Sequence, residues 1–216
     1  MADIAATGSA GTGSDPDIVY RPEVFREATV DGAKRIILTP EAGKSTDERW
    51  AEETAWLVKQ VRFPAGGLLV DFGCGIGRLA RELPQHPILG VDISPEMRRH
   101  AQDYVDRAEF QVLSPDLFRI AVRSGLQFDG GYALWVLQHV LDPLPEIALL
   151  ARGLRRGAPF WLLNQFRRCV PTNRGWMDDG KDVRAMMGNW FTLVADIALP
   201  ATIFAEGAYL HCYQAK

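Results

Sequence analysis

The chain has 216 residues, 47% of them apolar and 24% charged, enough for one well-buried core with little left for a second independent domain. A net charge of -3 offers no global attraction to nucleic acid or to an anionic membrane, so neither is expected as a partner. Cys74, Cys169 and Cys212 are scattered and odd in number, which argues against a disulfide framework or a zinc site and fits a reducing cytoplasm.

Residues 1–16 are small, polar and glycine-rich, without the basic start and apolar run of a signal peptide, and are expected to form a disordered tail. No run of about 18 apolar residues occurs, so no membrane span is expected. Residues 17–64 are expected to be a helical segment ahead of a core over residues 65–216. Its early part carries scattered anchors, Tyr20, Phe25, Ile36, Ile37 and Leu38, and resists assignment. Ser45 or Thr46 then caps a helix with Glu48 in its first turn, and Trp50, Thr54, Leu57, Val58 and Val61 form its apolar stripe. Two readings of Trp50 stay open, a core residue or part of a lid reaching from Tyr20.

Leu68, Leu69 and Val70 read as a short buried strand, and Ile76, Leu79, Ala80 and Leu83 restart at helical spacing. Between them Gly73, Gly75 and Gly77 can adopt positive φ and carry no Cβ, so backbone can lie against a ligand with its N–H groups toward it. Gly75-x-Gly77-x-x-Ala80 also fits a loose dinucleotide fingerprint, which keeps an NAD-dependent oxidoreductase open. Asp71 counts against it, because a carboxylate at that strand end repels phosphates and suits a cation. The whole Asp71-x-Gly73-x-Gly75-x-Gly77 pattern resembles motif I of the class I S-adenosylmethionine-dependent methyltransferases.

Ile88 to Val91 reads as a second strand ending in Asp92, with Ser94 and Pro95 opening the next helix. Asp92 lies about 20 residues beyond the glycines, the separation at which a strand-end carboxylate accepts ribose hydroxyls. Its plainer reading is a helix cap. Glu109 to Leu113 alternates as a third strand. After it, the resemblance implies an acid at the adenine amino group with an apolar neighbour on the ring, for which Asp116 and Leu117 are the candidates; a simple turn aspartate is the alternative.

Phe128 to Val140 resembles the family's fourth strand and the segment after it, although Gly130 and Gly131 are expected to weaken the strand. The resemblance places Ala133 beside the transferable methyl group and adds Cys74 and Ile93 as cofactor contacts. His139 is the candidate general base, with a structural role as its plainer reading. Ala133-Leu134-Trp135-Val136 is not the Asn-Pro-Pro-Tyr type used on base amines. Leu144 to Leu154 forms a helical stripe, Phe160 to Asn164 a fifth strand, Val183 to Trp190 a helix, and Phe191–Leu199 and Ala208–Tyr213 the closing strands. Arg167, Arg168 and Arg174, with Trp176 as a wall, can hold an anionic group; the alternative is a solvated connection whose Asp178 and Asp179 offset them.

Alternating strands and helices predict an α/β fold with a mostly parallel sheet, and the resemblance implies a Rossmann-like three-layer sandwich whose seven-stranded sheet has an antiparallel last strand. The resemblance implies S-adenosyl-L-methionine as cofactor, S-adenosyl-L-homocysteine as product, and a small-molecule methyl acceptor. A protein or RNA methyltransferase and a non-catalytic S-adenosylmethionine-binding protein remain as alternatives. No metal is suggested.

Overall fold

The computed structural model describes residues 17–41 and 43–216, so the tail expected over residues 1–16 lies outside the described residues. Helices α1 (Val30–Ile37) and α2 (Thr46–Gln60) come first. Strand and helix then alternate through β1 (Leu69–Phe72), α3 (Arg78–Arg81), β2 (Ile88–Val91), α4 (Pro95–Val105), β3 (Phe110–Leu113), α5 (Pro115–Arg123), β4 (Gly130–Leu134), α6 (Pro143–Gly153) and β5 (Pro159–Gln165). A hairpin of β6 (Val170–Thr172) and β7 (Gly175–Met177), the short α7 (Val183–Met187), and β8 (Phe191–Ile197) and β9 (Ala208–Ala215) complete the chain.

Local chemistry sets the helix starts. Ser45 accepts from the Glu48 amide while the Glu48 carboxylate accepts from the Ser45 amide, a reciprocal capping box that opens α2. The Ser94 and Ser114 hydroxyls cap α4 and α5, each with proline as the first helical residue. The helix after the glycine turn is only four residues long, because Leu83 precedes Pro84 and a residue before proline avoids helical backbone.

Among the described residues seven strands form one sheet, in the order β3-β2-β1-β4-β5-β9-β8, with β9 antiparallel to both neighbours. The other neighbouring pairs are parallel. Side chains alternate across it: Leu69, Tyr132 and Trp161 face the layer of α1 to α4, and Val70, Phe72, Ala133 and Phe160 face that of α5 to α7. The strand order reverses between β1 and β4, which opens a crevice at their carboxyl ends.

Gly130 and Gly131 lie inside β4, paired with β1, and close packing accounts for both. A Cβ on Gly130 would sit 2.8 Å from Phe63 Cδ1, and one on Gly131 2.5 Å from Val70 Cγ1 and 3.0 Å from the Val70 carbonyl. The glycines let β4 approach its neighbours rather than weakening it.

The β6–β7 hairpin was not legible as strands, and it anchors the start of the described chain. The Asn173 amide donates to the Val19 carbonyl at 2.9 Å and Arg21 N–H to the Pro171 carbonyl at 2.9 Å. The Asn173 side chain accepts from Val19 N–H at 3.0 Å and donates to the Asp17 carbonyl at 3.0 Å. Arg168, at the base of this hairpin, is fully buried rather than a surface hook for an anion. It donates to the Leu137 and Val140 carbonyls at 2.8 and 2.5 Å and grips the Asp179 carboxylate through Nε and Nη2 at 2.6 and 3.1 Å. Arg167 and Arg174 are exposed and do not line the crevice.

Two substitutions test this packing by urea unfolding. Gly131→Ala is expected to destabilise the fold by about 1–3 kcal/mol, the range for overpacking. Arg168→Met leaves carbonyls and the Asp179 carboxylate without their partner and is expected to cost about 3 kcal/mol. An unchanged unfolding midpoint in either variant contradicts the packing described.

Candidate functional site

A cavity of about 400 Å³ occupies the crevice. The glycine turn and Asp92 lie on one side and Leu134 to Val136 on another, while Tyr20, Phe25, Ile36 and Ile37 contribute from the N-terminal segment. Its size is that of a small-molecule site.

Gly73, Gly75 and Gly77 all have positive φ, at 73°, 54° and 78°. Their amides, however, are turned to the protein. Gly73 and Cys74 N–H donate to the Val91 carbonyl at 2.7 and 3.0 Å, Gly77 N–H to the Cys74 carbonyl at 2.8 Å, and Gly75 N–H to Asp92 Oδ2 at 2.8 Å. The turn thus presents Cβ-free backbone with these donors already engaged, the opposite of the expected amide cradle. A pyrophosphate needs free amides there, so the arrangement counts against a dinucleotide. Gly77 does not line the cavity; a Cβ there would meet Val105 Cγ2 at 2.4 Å, so its role is to seat α4.

Asp92 accepts from Gly75 through Oδ2 and from Ser94 N–H through Oδ1 at 2.9 Å. Each oxygen keeps a second lone pair, so the group can still accept from a diol. Burial pushes its carboxyl up to about 6, against the pull of the Ser94 and Gly75 amides and of Arg98. Asp71 is buried opposite Tyr132 in the β1–β4 register, and burial pushes it up to about 8 against the Tyr132 hydroxyl and Arg78. A cationic group brought beside it draws it back to carboxylate.

Sequence reasoning missed Glu53. It lies fully buried on α2 and accepts from Arg49 Nη2 at 2.8 Å, Trp135 Nε1 at 3.2 Å and Arg78 Nη1 at 3.4 Å. The available signal was an acid three residues after Trp50 and four before Leu57, within the core-facing stripe. Its bond to Trp135 fixes an indole whose backbone holds φ at +61°, a conformation a large side chain rarely takes. Trp50 is buried in the core and does not line the cavity.

His139 lines the cavity, but both ring nitrogens are occupied. Gln165 N–H donates to Gln138 Oε1 at 2.8 Å, which fixes the amide orientation and turns Gln138 Nε2 toward His139 Nε2 at 3.1 Å. His139 Nε2 is then the acceptor, and Nδ1 carries the proton donated to the Cys169 carbonyl at 2.6 Å. Burial lowers the imidazole pKa further. A ring held neutral with its lone pair engaged is a poor general base, and this corrects the expectation placed on it. His139 also packs against Phe25 and Trp176, with ring centroids 5.5 and 5.4 Å away.

Of the residues singled out in the sequence, Asp71, Gly73, Cys74, Gly75, Asp92, Ile93 and His139 line the cavity together. Asp116, Leu117 and Ala133 do not. Ser114 caps α5 so promptly that Asp116 swings outward, 88% exposed and paired with Arg119 at 3.0 Å, and Leu117 is exposed beside it. Pro115 and Glu146 line the cavity there instead. Ala133 points into the opposite layer, while its neighbours Tyr132 and Leu134 reach the cavity.

A methyltransferase domain model matches residues 70–162. The chain is 28% identical over 119 residues to an S-adenosyl-L-methionine-dependent Diels-Alderase from Talaromyces variabilis, covering 52% of this chain and 41% of that protein. It is 28% identical over 105 residues to a ubiquinone biosynthesis O-methyltransferase from Xanthomonas axonopodis pv. citri, covering 46% and 43%. The chain thus matches less than half the length of these curated relatives. Magnesium protoporphyrin IX methyltransferase from Synechocystis PCC 6803, solved with bound S-adenosyl-l-homocysteine, superposes with a TM-score of 0.60 at 21% identity, over 90% of this chain and 98% of that one. Residues 70–162 thus resemble a methyltransferase domain, and the sheet that carries them has the Rossmann-like methyltransferase fold.

Proposed function

We propose that the chain transfers the methyl group of S-adenosylmethionine to a small-molecule acceptor, and that it does so in a reducing cytoplasm, which suits three free cysteines. The observation that carries the reading is Asp92, half-buried in the cavity wall with a lone pair left on each oxygen, beside a turn whose amides are already engaged. Such a site suits a ligand with a diol and a cationic centre. Asp71, Gly73, Cys74 and Gly75 face the methionine part in this assignment, Asp92 the ribose hydroxyls, and Ile93 with Pro115 the adenine. Arg78 lines the same cavity with Nη2 lacking a hydrogen-bond partner, and is our candidate for the methionine carboxylate.

The bound cofactor supplies a methyl carbon on a sulfonium with a neutral leaving group. The chain's own task is therefore to hold two reactants close and in line and to keep water out. In this reading residues 17–64 form the roof over the core of residues 65–216, with Tyr20, Phe25, Ile36 and Ile37 facing the ligand. A roofed cavity of this size favours a small acceptor over a protein or RNA. With Arg168 engaged in the fold and Arg167 and Arg174 outside the cavity lining, these three arginines do not converge on an anionic acceptor. A second reading, a protein that holds the cofactor and promotes another reaction without methyl transfer, is favoured by the engaged imidazole of His139 and is compatible with the Diels-Alderase relative.

Calorimetric titration with S-adenosylhomocysteine tests the donor site. Micromolar binding is expected, weakened about 30-fold or more in Asp92→Ala through loss of charge-assisted hydrogen bonds, with no binding of NAD. Affinity should rise with pH through about 6 as Asp92 ionises, and again toward about 8 as Asp71 does. Binding at pH 7 should then release protons, because the ligand's ammonium favours the ionised form of Asp71. Proton release read from buffers of different ionisation enthalpy checks this sign, and proton uptake would contradict it. Detection of methylated product in an acceptor screen separates the two readings.

A further inference from the structure

We propose that the part of the cavity lined by Tyr20, Phe25 and His139 is an aromatic acceptor box. It takes a planar aromatic molecule whose attacking atom is already unprotonated when it binds, such as an acidic phenol or a heteroaromatic nitrogen. This rests on the methyl-transfer reading above and names its substrate class.

The box is built from three separate segments. Phe25 comes from the 3-10 turn Pro22–Phe25, His139 from the loop after β4, and Trp176 from β7. Their ring centroids lie 5.4 to 6.1 Å apart, all tilted, within the range in which aromatic rings attract. Phe25 and His139 face the cavity and Trp176 backs both. Tyr20, held by its bridge to Thr172, adds a phenol that burial keeps in its protonated, donor form. The bonds between residues 17–21 and the hairpin hold these segments together.

The same geometry says what the box cannot do. Freeing His139 Nε2 to take a proton would break its bond to Gln138, whose amide is pinned by Gln165 N–H. Protonating the ring would bring a second positive charge toward the buried Arg168, and the Cys169 carbonyl already holds Nδ1–H. An aliphatic alcohol or a protonated amine needs a group to take its proton during transfer. An acidic phenol loses that proton to solvent beforehand, and a heteroaromatic nitrogen carries none. Flat rings and an engaged imidazole therefore select the same chemical class.

The test compares 4-nitrocatechol with its saturated counterpart cis-1,2-cyclohexanediol by calorimetry, with and without S-adenosylhomocysteine. The catechol is expected to bind at least about tenfold more tightly, and Phe25→Leu and Trp176→Ala each to lose most of that preference. Equal affinity for the two compounds, or no binding of either, overturns the box. Failure of S-adenosylhomocysteine to bind overturns the donor reading instead, since aromatic preference is read in its absence too. A kinetic arm uses phenols of graded acidity: the pH at which methyl transfer rises should move with the pKa of the phenol. With S-adenosylmethionine saturating at every pH, so that ionisation of Asp92 and Asp71 no longer limits donor binding, an inflection that stays fixed across the series would identify an enzymic base and overturn the proposal.

Discussion

The carboxylate of Asp92 is the contact on which the rest of the site depends. By accepting from Gly75 on one oxygen and Ser94 on the other, it ties the turn after β1 to the start of α4 across the end of β2. Those bonds also keep the ionised form accessible in a buried wall, since two amide donors and Arg98 oppose the desolvation that pushes the group toward its neutral form. The same group shapes the cavity and is left able to accept from a ligand. Val91 reinforces it, because its carbonyl takes the amides of both Gly73 and Cys74. The glycines therefore serve by conformation and by the absence of a Cβ rather than by presenting donors.

A second constraint reaches the cavity through Glu53. A carboxylate with no solvent exposure is tolerable only because two guanidinium groups and an indole N–H surround it. Such a cluster adds little net stability compared with an apolar core. What it does instead is positional, joining α2 to Arg78 at the start of α3 and to Trp135 after β4. Both residues line the cavity. The strained backbone of Trp135 is held in place by that anchor.

Legibility in the sequence followed the range of the interactions. The helix start at Ser45 with Glu48 in its first turn, the cap at Ser94 and the positive-φ glycines are local, and pattern alone located them. The mostly parallel sheet followed from alternation of strand and helix. Where partners are distant, pattern failed. Arg167, Arg168 and Arg174 look alike in sequence, yet only Arg168 turns inward, toward carbonyls about thirty residues back. The state of His139 depends on Cys169 and Gln165, which periodicity cannot bring beside it. Asp116 was placed by resemblance alone, and the local signal that moves it was not read: Ser114 caps α5, and the turn of helix it starts points the Asp116 side chain outward.

The two ends of the cavity consequently have different origins. The Asp92 end is made by β1, β2 and the turns directly after them, from contacts between residues about twenty apart. The other end is assembled from the N-terminal segment, the loop after β4 and the β6–β7 hairpin, which meet through Asn173 and are braced by Arg168 and Asp179. Changes in the hairpin or in residues 17–25 can therefore remodel that end while the Asp92 turn keeps its shape, because among the described residues Asn173 and Asp179 make no hydrogen bond to Gly75 or Asp92. That separation gives a physical reason why one fold serves many chemistries. In the proposed reading, selectivity for the acceptor lies in the rings of Tyr20, Phe25 and His139 rather than in the glycine turn that makes the fold recognisable.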